Sequence, residues 1–205
     1  MDIHGHPLLW YVIHTLKQSS AVQRIVIATT EKPEDDVLVE LARKEGVDWF
    51  RGSEADVLDR YYRTACRFPD RYYFRATGDN PILDGENPYR TLTRLIRSGS
   101  DYACETGMPV GSIVECFTHQ ALERCHQEAE SQAAREHVTL HMRESGLFRT
   151  DFMPCPEEYR CSQLRLTVDD PEDFQRARLI IGSLYQKGFP GFGSILHFCR
   201  ENCLV

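Results

Sequence analysis

The chain has 205 residues, a net charge of −7, 41% apolar residues and 27% charged residues. That length favours one domain over residues 1–205, with the composition of an ordinary soluble globular protein. The acidic balance argues against a broad nucleic-acid interface, and no apolar run reaches the length of a membrane span, but a few arginines or a metal suffice for a small anion.

The opening stretch "MDIHGHPLLWYVIHTLK" lacks the basic leader and the small-residue cleavage site of a secretory signal. The eight cysteines form no C-x-x-C pair. They read as reduced, buried small apolar residues of a cytoplasmic protein.

Elements follow in alternation. "PLLWYVIHTLKQ" places Leu8, Leu9, Val12, Ile13 and Leu16 on one helical face, with Pro7 tolerated in the first turn. "RIVIATT" is a β-branched run of a buried strand. "PEDDVLVELARKEG" opens on proline and acids and stops at Gly46, as a helix does. "VDWFRG" is a second strand. "SEADVLDRYYRTACRF" has Ser53 and Asp56 in a capping-box-like start. "YYFRATG" is a third strand, and a helix follows within 86–98. From residue 101 the rhythm loosens: strands at "DYACET" and "IVECF", a helix near Thr118, and one over about 132–145. "RCSQLRLTVDD" reads as a strand, "PEDFQRARLIIGSLYQKG" as a helix, and the tail as helical.

This alternation predicts an α/β fold, a mostly parallel sheet with helices on both faces. Ligands of such sheets bind outside the carboxyl ends of the strands. "TGDNP" (77–81) lies at one such end. Asp79 there has two readings, a hard-metal ligand holding Mg²⁺ against a phosphate or a turn-forming aspartate. "LRLTVDDPEDF" (164–174) repeats the pattern. Asp170 suits the N-cap of the next helix, leaving Asp169 without that role. "RGSEADVLDRYY" (51–62) places Arg51 before a helix start, either an anion site or a plain capped helix. His137 and His141 stand at i and i+4, a spacing that zinc uses, without a third ligand, and a surface helix explains them as well. His197, Cys199 and Cys203 read as packing. Walker, G-x-S-x-G and G-x-G-x-x-G signatures do not occur.

Taken together, "HGHPLLWYVIHTLKQS", "IVIATTEKPEDDVLVELARKEGV", "FRGSEADVLDRYYRTA", "RATGDNPILD", "ALERC…REHVT" and "LRLTVDDPEDF" resemble the spore-coat polysaccharide (SpsF-type) cytidylyltransferases. These are relatives of the acylneuraminate and ketodeoxyoctonate cytidylyltransferases. The resemblance implies a Rossmann-like nucleotide-diphospho-sugar transferase fold and transfer of CMP from CTP to a sugar or sugar acid. In that chemistry a sugar hydroxyl attacks the α-phosphate, pyrophosphate leaves, and Mg²⁺ neutralises the developing charge. It implies that Asp79 and Asp169 hold the metal, and that Arg51, Ser53 and Asp59 border the nucleotide. Arg75, Thr77 and Gly78 flank the crevice, and Glu115 faces the sugar, although the family's usual acid falls near Ile113. It further implies a homodimer built through the variable, sugar-side segment 101–160.

The chain departs from the family at its start. Relatives carry a central first strand and a loop of the type A-R-x-G-S-x-R-L-P-G-K ahead of "PLL", and their lysine there is His6 here. The expectation is a fold lacking its first strand, with two neighbouring strands left unpaired over an uncovered core. An internal start at Met1, a degenerate protein and a fragment each account for it. Three functions stay open: a cytidylyltransferase, a catalytically inactive sugar-nucleotide-binding or assembly protein, and a nucleotide-sugar glycosyltransferase.

Overall fold

The computed structural model describes residues 2–205, Lys187 by its backbone alone; Met1, and with it the reading of an internal start, lies outside them. A two-residue-per-strand hairpin, β1 (Asp2–Ile3) and β2 (His6–Pro7), leads into α1 (Leu8–Gln18). Then come β3 (Val26–Thr30), α2 (Asp36–Glu45), β4 (Asp48–Gly52), α3 (Val57–Arg67), β5 (Tyr72–Arg75) and α4 (Asn87–Ser98). The second half holds β6 (Tyr102–Thr106), β7 (Glu115–Thr118), α5 (His119–Glu128), α6 (Gln132–Glu136), α7 (Leu140–Glu144), β8 (Thr150–Pro154), α8 (Pro171–Leu184) and α9 (Phe192–Glu201).

The α/β class is as the alternation predicts, but the strands pair in two separate sets. β3 and β4 form a parallel pair, in register from Val26↔Asp48 to Thr30↔Gly52. The second set has the order β5-β7-β6-β8. Within it only β6 and β8 are parallel, while β7 runs antiparallel to both neighbours. The sheet is therefore mixed rather than mostly parallel. The physical reason is the short 107–114 return between β6 and β7, which has no crossover helix and so brings the chain back antiparallel.

Helices cover both faces. Ile13 of α1 packs with Ile27 and Ala42, and Val12 and Leu16 pack with Leu83, Val114 and Phe74. On the other face Leu58 and Ala65 of α3 join Tyr102, Phe117, Leu122 and Tyr73. The period-2 alternation of β5 is visible here: Phe74 points to α1 and Tyr73 to α3. A third cluster buries Ile180 and Ile181 of α8 and Ile195 and Leu196 of α9 against Ile3, Tyr11, Leu164 and Leu166.

Several local expectations change. The helix after β4 starts later than Ser53: Asp56 is its N-cap, accepting from Asp59 N at 2.8 Å, while Ser53 Oγ accepts from Asp56 N. An acid four residues into the segment caps as well as a serine, so composition does not fix the register. The helix expected over 132–145 is two short ones, broken around Val138, which adopts φ +50°. His137 and His141 thus stand on separate turns, not one face. Residues 161–168 form no strand beyond an isolated parallel bridge, Val110↔Arg165. Among the described residues no helix is long and apolar enough to cross a membrane.

Candidate active site

The segment that leaves β5 makes a tight turn. Asn80 N donates to Thr77 O at 3.3 Å, and Asn80 Nδ2 donates to Thr77 Oγ1 at 2.7 Å. Thr77 is therefore spent on shaping the turn. Gly78 and Asp79 are exposed at its tip. A Cβ on Gly78 would meet only Leu9, at 3.6 Å, so backbone geometry does not demand glycine there.

The second acidic segment lies directly against this turn. Val168 N donates to Asp79 O at 2.9 Å, and Leu166 N donates to Val110 O at 2.8 Å. One main-chain hydrogen bond thus joins residue 79 to the segment that carries Asp169, and the other ties that segment to Val110. Gly111, at φ +83°, fills the crossing point. A Cβ there would fall 2.6 Å from Thr167 N and 2.8 Å from Asn80 Oδ1. Three segments meet so closely that only glycine fits.

Asp170 caps α8, accepting from Asp173 N at 2.8 Å. Asp169 is left exposed, with Arg165 at 2.7 Å and Thr167 Oγ1 at 3.4 Å. Asp173 is buried behind it, between Arg176 at 2.6 Å and Arg165 at 3.3 Å. Those arginines hold its carboxyl below the usual range, overcoming the upward push of burial. Among the described residues the Asp79 carboxylate makes no hydrogen bond and no ion pair. Asp79 and Asp169 are therefore two outward carboxylates on two joined loops.

Behind the turn lies a buried ionic cluster. Arg90 bonds Asp84 at 2.6 Å and both oxygens of Glu105, at 2.6 and 2.7 Å. Asn87 donates to Glu105 at 2.7 Å and accepts from Val114 N at 2.8 Å. Burial raises the Asp84 carboxyl, and Arg90 offsets only part of that rise because Glu105 shares it. The cluster pins the 82–87 segment, and so the turn before it, to β6 and to the return ahead of β7.

The remaining expected residues divide. Arg75 ends β5, with its Nη1 2.9 Å from Glu115 of β7. Glu115 does not present a free carboxylate to a sugar. It is buried and accepts from Tyr102 Oη at 2.6 Å, Thr139 Oγ1 at 2.9 Å and Arg75, with Arg143 at 3.8 Å. Its carboxylate is engaged by these donors, Arg75 among them. Asp59 is likewise engaged, by Arg63 at 2.7 Å and His126 of α5 at 3.0 Å. It faces a helix contact rather than an open crevice. Arg51 pairs with Asp36 at the start of α2. It stands with Ser53 at the carboxyl end of β4, the rim to which the Asp79 turn also belongs.

Tyr61, Tyr102, Thr139 and Arg143 escaped the sequence reading. Tyr61 feels the charges of Arg75, Glu115 and Asp79, and burial first of all raises its phenol. No linear signal marks them, since they come from α3, β6 and the broken 132–145 segment. Among the described residues no three His, Cys, Asp or Glu converge into a metal cage.

Comparison with known proteins adds an independent line. Residues 1–188 match the model of a family described as cytidylyltransferase. The chain is 36% identical over 186 residues to the spore coat polysaccharide biosynthesis protein SpsF of Bacillus subtilis, covering 88% of this chain and 76% of that one. It is 36% identical over 169 residues to an uncharacterized protein of Methanocaldococcus jannaschii, covering 82% of this chain and 70% of that one. Among solved structures, a cytidylyltransferase from Leptospira borgpetersenii superposes with a TM-score of 0.89 at 25% identity, covering 99% of this chain and 87% of that one. A CMP:2-keto-3-deoxy-manno-octonic acid synthetase complexed with CTP shares the fold, with a TM-score of 0.66 at 15% identity, covering 89% and 90%. With most of its length matched to one family model and to SpsF at this identity, the chain belongs to the cytidylyltransferase family.

Proposed function

We propose that the chain is a CTP-using cytidylyltransferase of polysaccharide biosynthesis, acting in the cytoplasm on a sugar or sugar acid, with Asp79 and Asp169 holding Mg²⁺. The observation that carries the reading is the main-chain bond from Val168 to Asp79, which joins the exposed Asp79 turn to the segment that carries the exposed Asp169. The donor set fits the ion. Mg²⁺ takes hard oxygens, usually one or two carboxylates, and completes its shell with water and substrate phosphate. When bound, it would neutralise charge developing on the phosphates.

The chain's own residues do the rest. The Thr77–Asn80 turn, braced by the Arg90 cluster, fixes where the Asp79 carboxylate stands. Arg75, paired with Glu115, keeps its Nε without a partner and would offer that donor at the end of β5 to an anionic substrate. Arg165 pairs with Asp169 and would have to release it for that carboxylate to hold a metal. Arg51 and Ser53 offer donors at the neighbouring strand end for the nucleotide.

The test is pyrophosphate release from CTP, against UTP, GTP and ATP, with Mg²⁺ and a panel of sugar acids. It is run on this chain and on the chain carrying a family-type strand and loop ahead of residue 2. CTP-selective release supports the reading. Silence in both forms overturns it. Saturable CTP binding without release would instead establish a binding or assembly protein without turnover.

A further inference from the structure

Arg165 is held by its main chain and free at its tip. Val110 N donates to Leu164 O at 2.9 Å and Leu166 N donates to Val110 O at 2.8 Å, so the residues on either side of Arg165 are tied to one partner. Arg176 Nη1 donates to the Arg165 carbonyl at 3.4 Å. The backbone therefore fixes where the side chain starts, and the guanidinium is the part that can swing.

That guanidinium serves two acids with a single amino group. Its Nη2 lies 2.7 Å from Asp169 Oδ2 and 3.3 Å from Asp173 Oδ2. Among the described residues its Nε and Nη1 make no hydrogen bond. The two acids differ in burial: the Asp169 side chain is 54% exposed and the Asp173 side chain 3%. Asp173 is also fixed, because it accepts from Asp169 N at 3.2 Å and pairs with Arg176 at 2.6 Å. One partner is a buried anchor and the other a surface carboxylate. Exposed ion pairs are weak, and a divalent ion competes for a carboxylate with twice the charge of an arginine. If Asp169 leaves, Arg165 still has Asp173, and its remaining donors are unspent.

We propose that Arg165 is the resident counter-cation of Asp169, exchanged for the divalent ion when nucleotide binds: the ion takes the carboxylate, and the guanidinium, anchored on Asp173, turns to the nucleotide's phosphates. The inference rests on the reading of Asp169 as a metal ligand and adds an order of events to it. Without nucleotide, the ion has to displace a cation that gains no new partner, so metal binding is weak. With nucleotide, the phosphates receive the released guanidinium in charge-assisted hydrogen bonds. Ion and nucleotide then bind cooperatively, each raising the affinity of the other by the same factor.

The test reads Mn²⁺ binding by water-proton relaxation, with and without CTP, in the parent, R165M, R165K, D169N and the R165M/D169N double variant. Asp173 keeps Arg176 in R165M, so no buried acid is left unpaired. Without nucleotide, R165M should bind Mn²⁺ about three- to tenfold tighter than the parent, from the lost ion pair and the relieved repulsion. R165K keeps the charge and should stay within about twofold of the parent. A folding defect would weaken binding rather than tighten it. Adding CTP should raise Mn²⁺ affinity less in R165M than in the parent. In the D169N background R165M should lose most of its effect, because the pair it breaks is already gone. Unchanged or weaker Mn²⁺ binding by R165M, equal tightening by R165K, an undiminished effect in D169N, or an equal CTP effect in R165M and parent would overturn the proposal. D169N separates the two claims. If it leaves Mn²⁺ binding untouched, Asp169 is no metal ligand and the exchange falls with that reading. If it weakens binding while R165M changes nothing, the exchange alone is overturned.

Discussion

Substituting Gly111 tests the joint between the two acidic loops. In G111A the new Cβ meets Thr167 N at 2.6 Å and Asn80 Oδ1 at 2.8 Å, and the first of these is backbone that cannot swing aside. Two costs add. Holding alanine at φ +83° costs about 1–2 kcal/mol, as left-handed backbone does for a residue with a Cβ. Forcing the segments apart adds about 1–3 kcal/mol, the range for overpacking. The sum is about 2–5 kcal/mol, or a Tm lower by roughly 5–15 °C for a chain of this size. Gly146 is the control. It has φ +72° and nothing within 4 Å of its Cβ position, so G146A incurs only the backbone cost. Equilibrium urea unfolding of both variants gives the difference directly. G111A should also weaken Mg²⁺-dependent CTP binding, because the 79–80 and 167–169 segments move apart, while G146A should not. Equal destabilisation by the two variants, with CTP binding unchanged in both, would refute the reasoning.

Two further outcomes follow from the buried groups. Asp56 caps α3 and pairs with Arg135 at 2.9 and 2.5 Å; burial pushes its carboxyl up, but Arg135 holds it below the usual range. A carboxyl lowered on folding contributes stability above its unfolded pKa of about 4 and loses it as pH falls through the lower folded value. An asparagine side chain at this position would still cap the helix. D56N should therefore be less stable than the parent near pH 7, and the gap should close as pH drops below about 4. A gap independent of pH would contradict the pairing. Thiol labelling of the native chain near pH 7 should modify Cys66 and Cys203, which are exposed, ahead of the other six. Burial pushes Cys116 up to about 12, and Cys104, Cys125 and Cys199 up to about 11. Fast labelling of Cys116 without unfolding would show that the β5-β7-β6 core is open.

The sequence carried the first half of the fold well, because there each strand is a β-branched run and each helix has a start and a stop. Gly46 takes the left-handed conformation at the end of α2, as its position implied. The second half was less legible. β8 hides in "TDFMP", which has neither alternation nor β-branched residues beyond Thr150, and is a strand because β6 offers it an edge. The same logic fails residues 161–168, which look like a strand but are held by two main-chain bonds to Val110 and one each to Gly107 and Asp79. At the two acidic loops, the capping role of Asp170 was legible from its place before the helix, and Asp169 and Asp79 are exposed beside it, in sequence and in space. The buried partners of Glu115 were not legible, because Tyr102 and Thr139 are 13 and 24 residues away in sequence and meet it only through packing. The contact of Asp59 was hidden for the same reason: His126 is 67 residues away. Among the described strands β3 pairs only with β4, and β5 only with β7.

The central claim is that Asp79 and Asp169 act on one ion. Mn²⁺, a spectroscopic substitute for Mg²⁺, can be titrated into the chain with CTP and followed by water-proton relaxation. D79N and D169N should each weaken Mn²⁺ binding at least tenfold, and the double variant should be little worse than either, since groups that share one ligand are not additive. Additive losses, or binding untouched by either substitution, would contradict the account.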